Sequence, residues 1–382
     1  MTGNWGGLRD DLQDAGITIA GTYTWDPSWL AAGGARRRVV ERGLLSLILE
    51  ADLARLVGLT GGTMKITYDT RHGDDPTNDV GVAQVISTID AGNIHQIAEL
   101  WYEQWLVEKG MRLMVGKMDA NDDFACVEGT KAFLNDSPAP AQTNFLMPSY
   151  PNPATGLNVF VYPTEQLWAG FGVYDGAGLV GVQTGSRGPE TFLDDSKNLY
   201  VIGEVGAKWA MSNEDLPGRA GLGGWHHNGV ATRFDETTQK GVSGLYLVAD
   251  QALWRPSSTA VDDPREMAED DQRGVGAFFQ YGYADKNVSP IEQYAGGGLT
   301  WRGPFRKRAE DVVGVSLHWV QFSQENRDGF TSRHETTLEL LYQVRVTHWV
   351  VLQPDIQYII NPARVPGLEN ALAFTVRAAV NF

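Results

Sequence analysis

From Gly16 to Phe382 the chain is written in a period of two, and that feature limits what it can fold into. The C-terminal run Phe374-Thr-Val-Arg-Ala-Ala-Val-Asn-Phe382 is apolar at every second position, with Thr375, Arg377, Ala379 and Asn381 between. Successive side chains of a strand point to opposite faces, so such a run has one apolar face and one mixed face. In Thr63–Asp69, Met64, Ile66 and Tyr68 share one face and Thr63, Lys65, Thr67 and Asp69 the other. Glu99, Trp101, Glu103 and Trp105 share one face of the next such segment, with Leu100, Tyr102 and Leu106 opposite. Helical periodicity is scarce; the best candidate is Trp5 to Ala15, closed by Gly16 as a C-cap residue.

Strands bounded by Gly, Pro and Asp turns are expected near 16–27, 41–56, 62–72, 97–108, 110–118, 155–163, 166–175 and 198–211. The second half gives 219–230, 241–255, 272–285, 291–302, 311–323, 333–346, 348–360 and 371–382. About sixteen strands is an even count, as single-chain bacterial barrels require. Turns at 109–110, 163–165 and 347–348 are tight, whereas 73–96, 119–153 and 176–197 are long. Short turns at one rim and long loops at the other fit a closed antiparallel transmembrane β-barrel better than a sandwich. Strand parity nevertheless puts the longish connections 256–271 and 303–310 on the short-turn rim. The expected organisation is a short N-terminal periplasmic segment or helix over 1–15 and one barrel domain over 16–382.

Composition narrows the field further. The formal net charge of −16 argues against nucleic acid, which needs clustered Lys and Arg. A single Cys excludes an intramolecular disulfide and a Cys-rich zinc site. No stretch approaches the roughly 18 unbroken apolar residues of a membrane-spanning helix. Met1 leads straight into Thr-Gly-Asn-Trp with no export signal, as in a cytoplasmic protein or a mature exported one.

Enzyme signatures mostly fail. Gly241-Val-Ser243-Gly-Leu245 lacks the second glycine of a nucleophile elbow, and His334-Glu335-Thr-Thr-Leu338 lacks the second His of a zinc helix. His226 and His227 point to opposite faces of a strand and do not readily share a metal. The acidic run Asp119-Ala-Asn121-Asp-Asp123 starts like a calcium loop, and a Ca2+ site at Asp119, Asn121 and Asp123 is the weaker reading. Phe124 stands where an EF-hand needs Gly and Thr130 where it needs Glu, so a solvated or pore-facing acidic loop is favoured, and no cofactor is expected. Arg36-Arg37-Arg38 reads as a solvated turn, or as a contact for lipopolysaccharide or for solutes near a pore mouth.

Arg71, Glu99, Trp101, Glu103 and Trp105 are expected to face the interior. Sugars are recognised by such sets: indole stacks on C–H faces, and charged groups hydrogen-bond hydroxyls. Arg–Glu cross-braces of a wide wall would look the same. A soluble exported carbohydrate-binding protein or glycosidase is the alternative. Glu99 and Glu103, four residues apart on one strand, would lie roughly 13 Å apart. That is too far for a glycosidase pair, which needs about 5–10 Å.

A family resemblance enters at these same segments. Asn4-Trp-Gly-Gly-Leu-Arg-Asp10, Tyr68-Asp-Thr-Arg71-His-Gly-Asp74, Glu99-Leu-Trp-Tyr-Glu103-Gln, Gly116-Lys-Met-Asp119-Ala-Asn-Asp-Asp-Phe124 and Gly172-Val-Tyr-Asp175 resemble the carbohydrate-selective porins of the OprB family. Ala249-Asp-Gln-Ala-Leu-Trp254 and Leu352-Gln-Pro-Asp-Ile-Gln-Tyr-Ile-Ile-Asn-Pro362 do so too, in order along nearly the whole chain. The resemblance implies a sixteen-stranded bacterial outer-membrane barrel for passive diffusion of glucose and other sugars, narrowed by inward-folded loops, with a signal peptide removed. It implies a channel and not an enzyme, working as a monomer or a homotrimer among outer-membrane lipid and lipopolysaccharide. By position Arg71 and Glu103 match the family's charged pore-lining residues, and Trp168 sits where an aromatic wall residue is expected. The Pro-rich segment Asp119–Pro153 is expected to fold into the lumen. At the narrowest level the expected set is Arg71 opposite Glu99 or Glu103, with Trp101 or Trp168 alongside and Asp119 and Asn121 near.

Overall fold

The computed structural model describes residues 3–107, 110–176, 179, 197–211, 216–256, 273–326 and 329–382. Most of the long connection 176–197, the connection 256–271 and part of the tight turn at 109–110 fall outside the described residues.

The chain opens with a 3-10 turn (Trp5–Gly7) and helix α1 (Leu8–Asp14), and Gly16, at φ +96°, makes the left-handed exit that a Cβ would strain. Strands β1 (Ile17–Trp25), β2 (Ser28–Ala32), β3 (Val39–Val40), β4 (Arg42–Asp52), β5 (Gly62–Gly73), β6 (Ile94–Leu106) and β7 (Met111–Met118) follow. Next come β8 (Ala154–Val161), β9 (Leu167–Asp175), β10 (Leu199–Met211), β11 (Leu216–Thr232), β12 (Thr238–Trp254) and β13 (Gly274–Ala284). The wall is completed by β14 (Ile291–Arg302), β15 (Val312–Phe322), β16 (His334–Thr347), β17 (Val350–Ile360) and β18 (Ala371–Asn381). Each long strand pairs antiparallel with its sequence neighbour, and β1 pairs with both β4 and β18, closing a ring of sixteen. The short β2 and β3 are extra; β2 continues up the edge of β18 beyond Pro27.

The expected strands are all present, within a few residues of their expected limits. An even ring puts both termini at one rim, and the 303–310 connection joins β14 to β15 there, as parity required. On the outer face Leu47, Leu49, Met64, Ile66, Phe171, Leu222 and Leu245 are exposed, the apolar band that lipid needs. Trp209, Trp254 and Trp301 stand exposed towards the short-turn rim. A bulge where Thr67 and Tyr68 face Glu99 and Ile97 inserts Ala98. It resets the alternation of β6, so that Gln96 and Glu99 both turn inward and are buried.

The interior is packed. Phe124, Phe133, Phe160, Trp168, Tyr174, Tyr200, Trp225, Tyr246 and Phe278 form its main apolar cluster. Several of these rings lie flat over glycines of the adjoining strand. A Cβ built on Gly206 would sit 2.0 Å from Trp168, on Gly223 2.1 Å from Tyr246, and on Gly244 2.5 Å from Trp225.

Candidate functional site

Two inward-folded loops, 74–93 and 119–153, fill much of the barrel, and polar wall side chains hold their backbones. A buried N–H or C=O must find a partner, and a carboxylate can accept several N–H groups at once. Glu335 accepts from Ala83 (3.0 Å), Gln84 (2.8 Å) and, from a third segment, Ala363 (3.1 Å). Glu339 accepts from Leu134 (2.5 Å) and Asn135 (3.3 Å), Asp250 from Glu128 and Gly129, and Glu204 from Ala125. Amides do the converse: Gln353 donates to Ala132 O (2.7 Å), Gln357 to Ile86 O (2.8 Å) and Gln96 to Pro151 O (2.7 Å). The expectation that 119–153 turns into the lumen agrees with these contacts.

Arg71 belongs to this holding system. It is 1% exposed, and Nε donates to Ile89 O (3.2 Å), Nη1 to Gly73 O (3.0 Å) and Nη2 to Asp74 O. Its guanidinium fork is therefore committed to the loop backbone. The expected pairing of Arg71 with Glu99 or Glu103 is replaced by two other partners from nearer positions. Lys65 Nζ meets Glu99 Oε2 at 2.7 Å, and Arg112 meets Glu103 at 3.5 Å.

Glu99 and Trp101 do come together. Trp101 Nε1 donates to Glu99 Oε1 (3.1 Å), Thr67 Oγ1 donates to Oε2 (2.7 Å), and Lys65 Nζ lies 5.5 Å from the centroid of the Trp101 ring. Lys65 sits directly across from Trp101 in the β5–β6 register, which places both on the inner face. Glu103 accepts from Trp105 Nε1 (2.9 Å). Arg112, also bonded to Asp123, links it to the loop, and Asn158 supports Asp123 at 2.8 Å.

Asp119 is a staple of the loop. Its Oδ1 accepts from Asn121 N (2.8 Å), and its Oδ2 from Ser149 Oγ (3.1 Å) and Tyr150 N (2.8 Å). Burial, with Asp122 close by, pushes its carboxyl up to about 8. Asn121 donates to Phe124 O (3.0 Å). Trp168 is buried against the loop, with Nε1 on Glu204 (3.0 Å) and Lys208 6.0 Å from its ring. Asp119 and Asp123 thus turn their oxygens to N–H and O–H donors, and no group of three acidic, His or Cys side chains among the described residues could hold a metal ion.

Asp122 is exposed, and its charge is felt by both Lys65 and Glu99. Crowding by protein, then the negative charge of Glu99, raises its carboxyl to about 6, while Lys65 and Lys131 pull the other way. Sequence offers Asp122 only as a candidate member, with Glu128, of an irregular cation site; Lys65, Arg112 and Lys131 were not singled out. Lys65 could have been: it occupies an inward position of the same alternation that placed Glu99 and Trp101. Of the triple arginine, Arg38 pairs with Asp79 (2.6 Å) and Asp74 (3.3 Å), tying its loop to 74–93. His226 and His227 do point apart, to Ser243 and to Gly176 O.

Residues 39–382 match the family model described as "Carbohydrate-selective porin, OprB family". Porin B of Pseudomonas aeruginosa is 22% identical over 435 residues, spanning all of this chain and 91% of that protein. A putative porin, QuiX, of Acinetobacter baylyi is 23% identical over 419 residues, spanning all of this chain and 93% of that protein. The high-pH structure of Pseudomonas putida OprB superposes with a TM-score of 0.87 at 19% identity, covering 100% of this chain and 98% of that one.

Proposed function

The chain belongs to the OprB family of carbohydrate-selective porins, a sugar channel of the bacterial outer membrane, and from that premise we propose that its selectivity is set where Lys65, Glu99 and Trp101 face Asp122. The observation that carries the reading is the contact set around Glu99: one carboxylate joins a cation, a hydroxyl and an indole N–H on a single stretch of inner wall. Opposite charges 2.7 Å apart largely cancel towards a passing ion. Their hydrogen-bonding capacity remains, and beside it the Trp101 ring offers a face to the C–H side of a pyranose. A neutral sugar such as glucose meets donors, acceptors and a stacking surface together; an inorganic ion gains from only one part. Binding must be weak for flux, in the millimolar range or about −4 kcal/mol. Arg71, Asp119 and Trp168 act one step back in this reading, holding the loops that bring Asp122 opposite the wall.

Bilayer recordings with glucose test it. Trp101→Ala should weaken sugar block of the ion current with ion selectivity unchanged, since it removes a ring and no charge. Lys65→Ala should weaken block and raise cation selectivity, because Glu99 is left without its cation. If both variants keep wild-type block and selectivity, the selective point lies elsewhere.

A further inference from the structure

The contact set at Glu99 is repeated once on the same strand. In the first unit Trp101 Nε1 donates to Glu99 Oε1 (3.1 Å), and Lys65, from β5, meets the carboxylate at 2.7 Å. Four residues on, Trp105 Nε1 donates to Glu103 Oε1 (2.9 Å), and Arg112, from β7, meets that carboxylate at 3.5 Å. Both units thus join a carboxylate, an indole N–H and a cation brought by a neighbouring strand. The second also faces inward: Arg112 lies across from Trp105 in the β6–β7 register and bonds Asp123 of the inward-folded loop. Strand β6 runs from Ile94 at the long-loop rim to Leu106 at the short-turn rim, so this second unit lies on the periplasmic side of the first. Four residues of extended strand span roughly 13 Å. That is longer than one pyranose ring and within the length of a short linear chain of them.

The second unit is braced and reachable. Trp105 stacks on Tyr162 with ring centroids 5.6 Å apart, and Tyr162 on Phe160 at 6.4 Å. The Arg112 guanidinium lies 4.8 Å from the centroid of the Phe160 ring. This row of rings sets the plane of the indole before a solute arrives, which lowers the ordering cost of stacking on it. Phe160 is buried at the foot of the row, whereas Trp105 and Tyr162 are half-buried. The Glu103 and Arg112 side chains each keep 15% of their surface open. A carboxylate has about four lone-pair sites, and the indole and the guanidinium occupy two, so Glu103 can still accept from a hydroxyl.

We propose that Glu103, Trp105 and Arg112 form a second sugar subsite on the periplasmic side of the first, so that a short linear oligosaccharide engages both units at once. It rests on the reading of the chain as a sugar pore and extends the solutes recognised from single sugars to a linear trisaccharide. Once one unit holds such a chain, its second contact is intramolecular, so the two weak contacts reinforce each other. The test is block of the ion current in planar bilayers by glucose and by maltotriose, read as the ratio of their half-blocking concentrations. In wild type maltotriose should block at about tenfold lower concentration than glucose, the effect of added contacts of about 1.4 kcal/mol. Trp105→Leu keeps apolar bulk against Tyr162 and removes the indole, so the ratio should fall to about one. Glu103→Gln keeps the shape and one acceptor oxygen but not the charge, and should lower the ratio to about threefold. A wild-type ratio in both variants, or a wild-type channel that maltotriose blocks no better than glucose, would overturn the second subsite alone and leave these residues as a wall brace. A wild-type channel that neither sugar blocks would overturn the selectivity reading and the subsite together.

Discussion

Replacing Glu335 with Ala removes the acceptor of three backbone N–H groups at once, those of Ala83, Gln84 and Ala363, at 2.8–3.1 Å. Glu335 is fully buried, so water does not replace it while the loop stays docked. Each orphaned donor costs about 1–3 kcal/mol, and the two that belong to the 74–93 loop, Ala83 and Gln84, set a lower bound of about 2 kcal/mol for its docked state. That shifts the ratio of docked to undocked 74–93 loop by about thirtyfold. The barrel wall itself keeps its ladder bonds, so the protein should still assemble and resist heat in detergent. The assay is unitary conductance and open-channel noise in planar bilayers. Glu335→Ala should show larger mean conductance and stepwise fluctuations as the loop leaves and returns. Glu335→Gln, which keeps one carbonyl oxygen, should fall between. Conductance and noise identical to wild type in Glu335→Ala would show that the carboxylate does not hold the loop, and the same logic would then fail for Glu339.

Arg71→Lys should behave like Arg71→Ala, with raised channel noise, because one ammonium cannot reproduce a fork aimed at the carbonyls of Ile89, Gly73 and Asp74; wild-type noise in the Lys variant would return Arg71 to the role of a simple charge. The Asp122 carboxyl is raised to about 6, so it gains its negative charge as pH rises through that value. Cation selectivity measured by reversal potential should therefore climb between roughly pH 5 and pH 7 and stay flat in Asp122→Asn; equal slopes in both would exclude Asp122 from the ion path. Deleting Phe382 should reduce assembly, since its backbone exchanges hydrogen bonds with Gly21 at 2.8 and 2.9 Å across the closing seam; undiminished heat-stable barrel in outer-membrane fractions would count against this.

The wall was legible in the sequence because period two is a local property. Each strand carries its own apolar face, and a closed ring needs only an even number of them. The candidate site was legible in part. That Glu99, Trp101 and Glu103 share a face could be read because they lie on one strand, whereas pairing depends on register between strands. In the β5–β6 ladder Trp101 lies across from Lys65 and Glu99 from Thr67, while Arg71 lies across from Ile94, so Lys65 rather than Arg71 meets Glu99 and Trp101. The loop-holding residues were hidden for a different reason. Glu335 and Glu339, like Gln353 and Gln357, read as part of an ordinary wetted lumen face, and their loop partners lie more than 200 residues away in most cases. Polar side chains at every second position of two adjacent strands, four carboxylates or amides spaced four apart among them, were the available signal.

The rings laid over Gly206, Gly223 and Gly244 have a consequence for anyone who would redesign this channel. On that side the lumen surface is made by side chains from the neighbouring strand, so even a methyl group added there collides with an aromatic ring before it reaches the solute path. Changing the pore by substitution on β10–β12 therefore means rebuilding two strands at a time. Around Lys65 and Trp101 the inner side chains are joined by hydrogen bonds and charge and not laid over a neighbouring strand's glycines, so single exchanges can retune the passage. The molecule is divided between a half that resists editing and a half that invites it, and variation in what related channels admit should collect on the second.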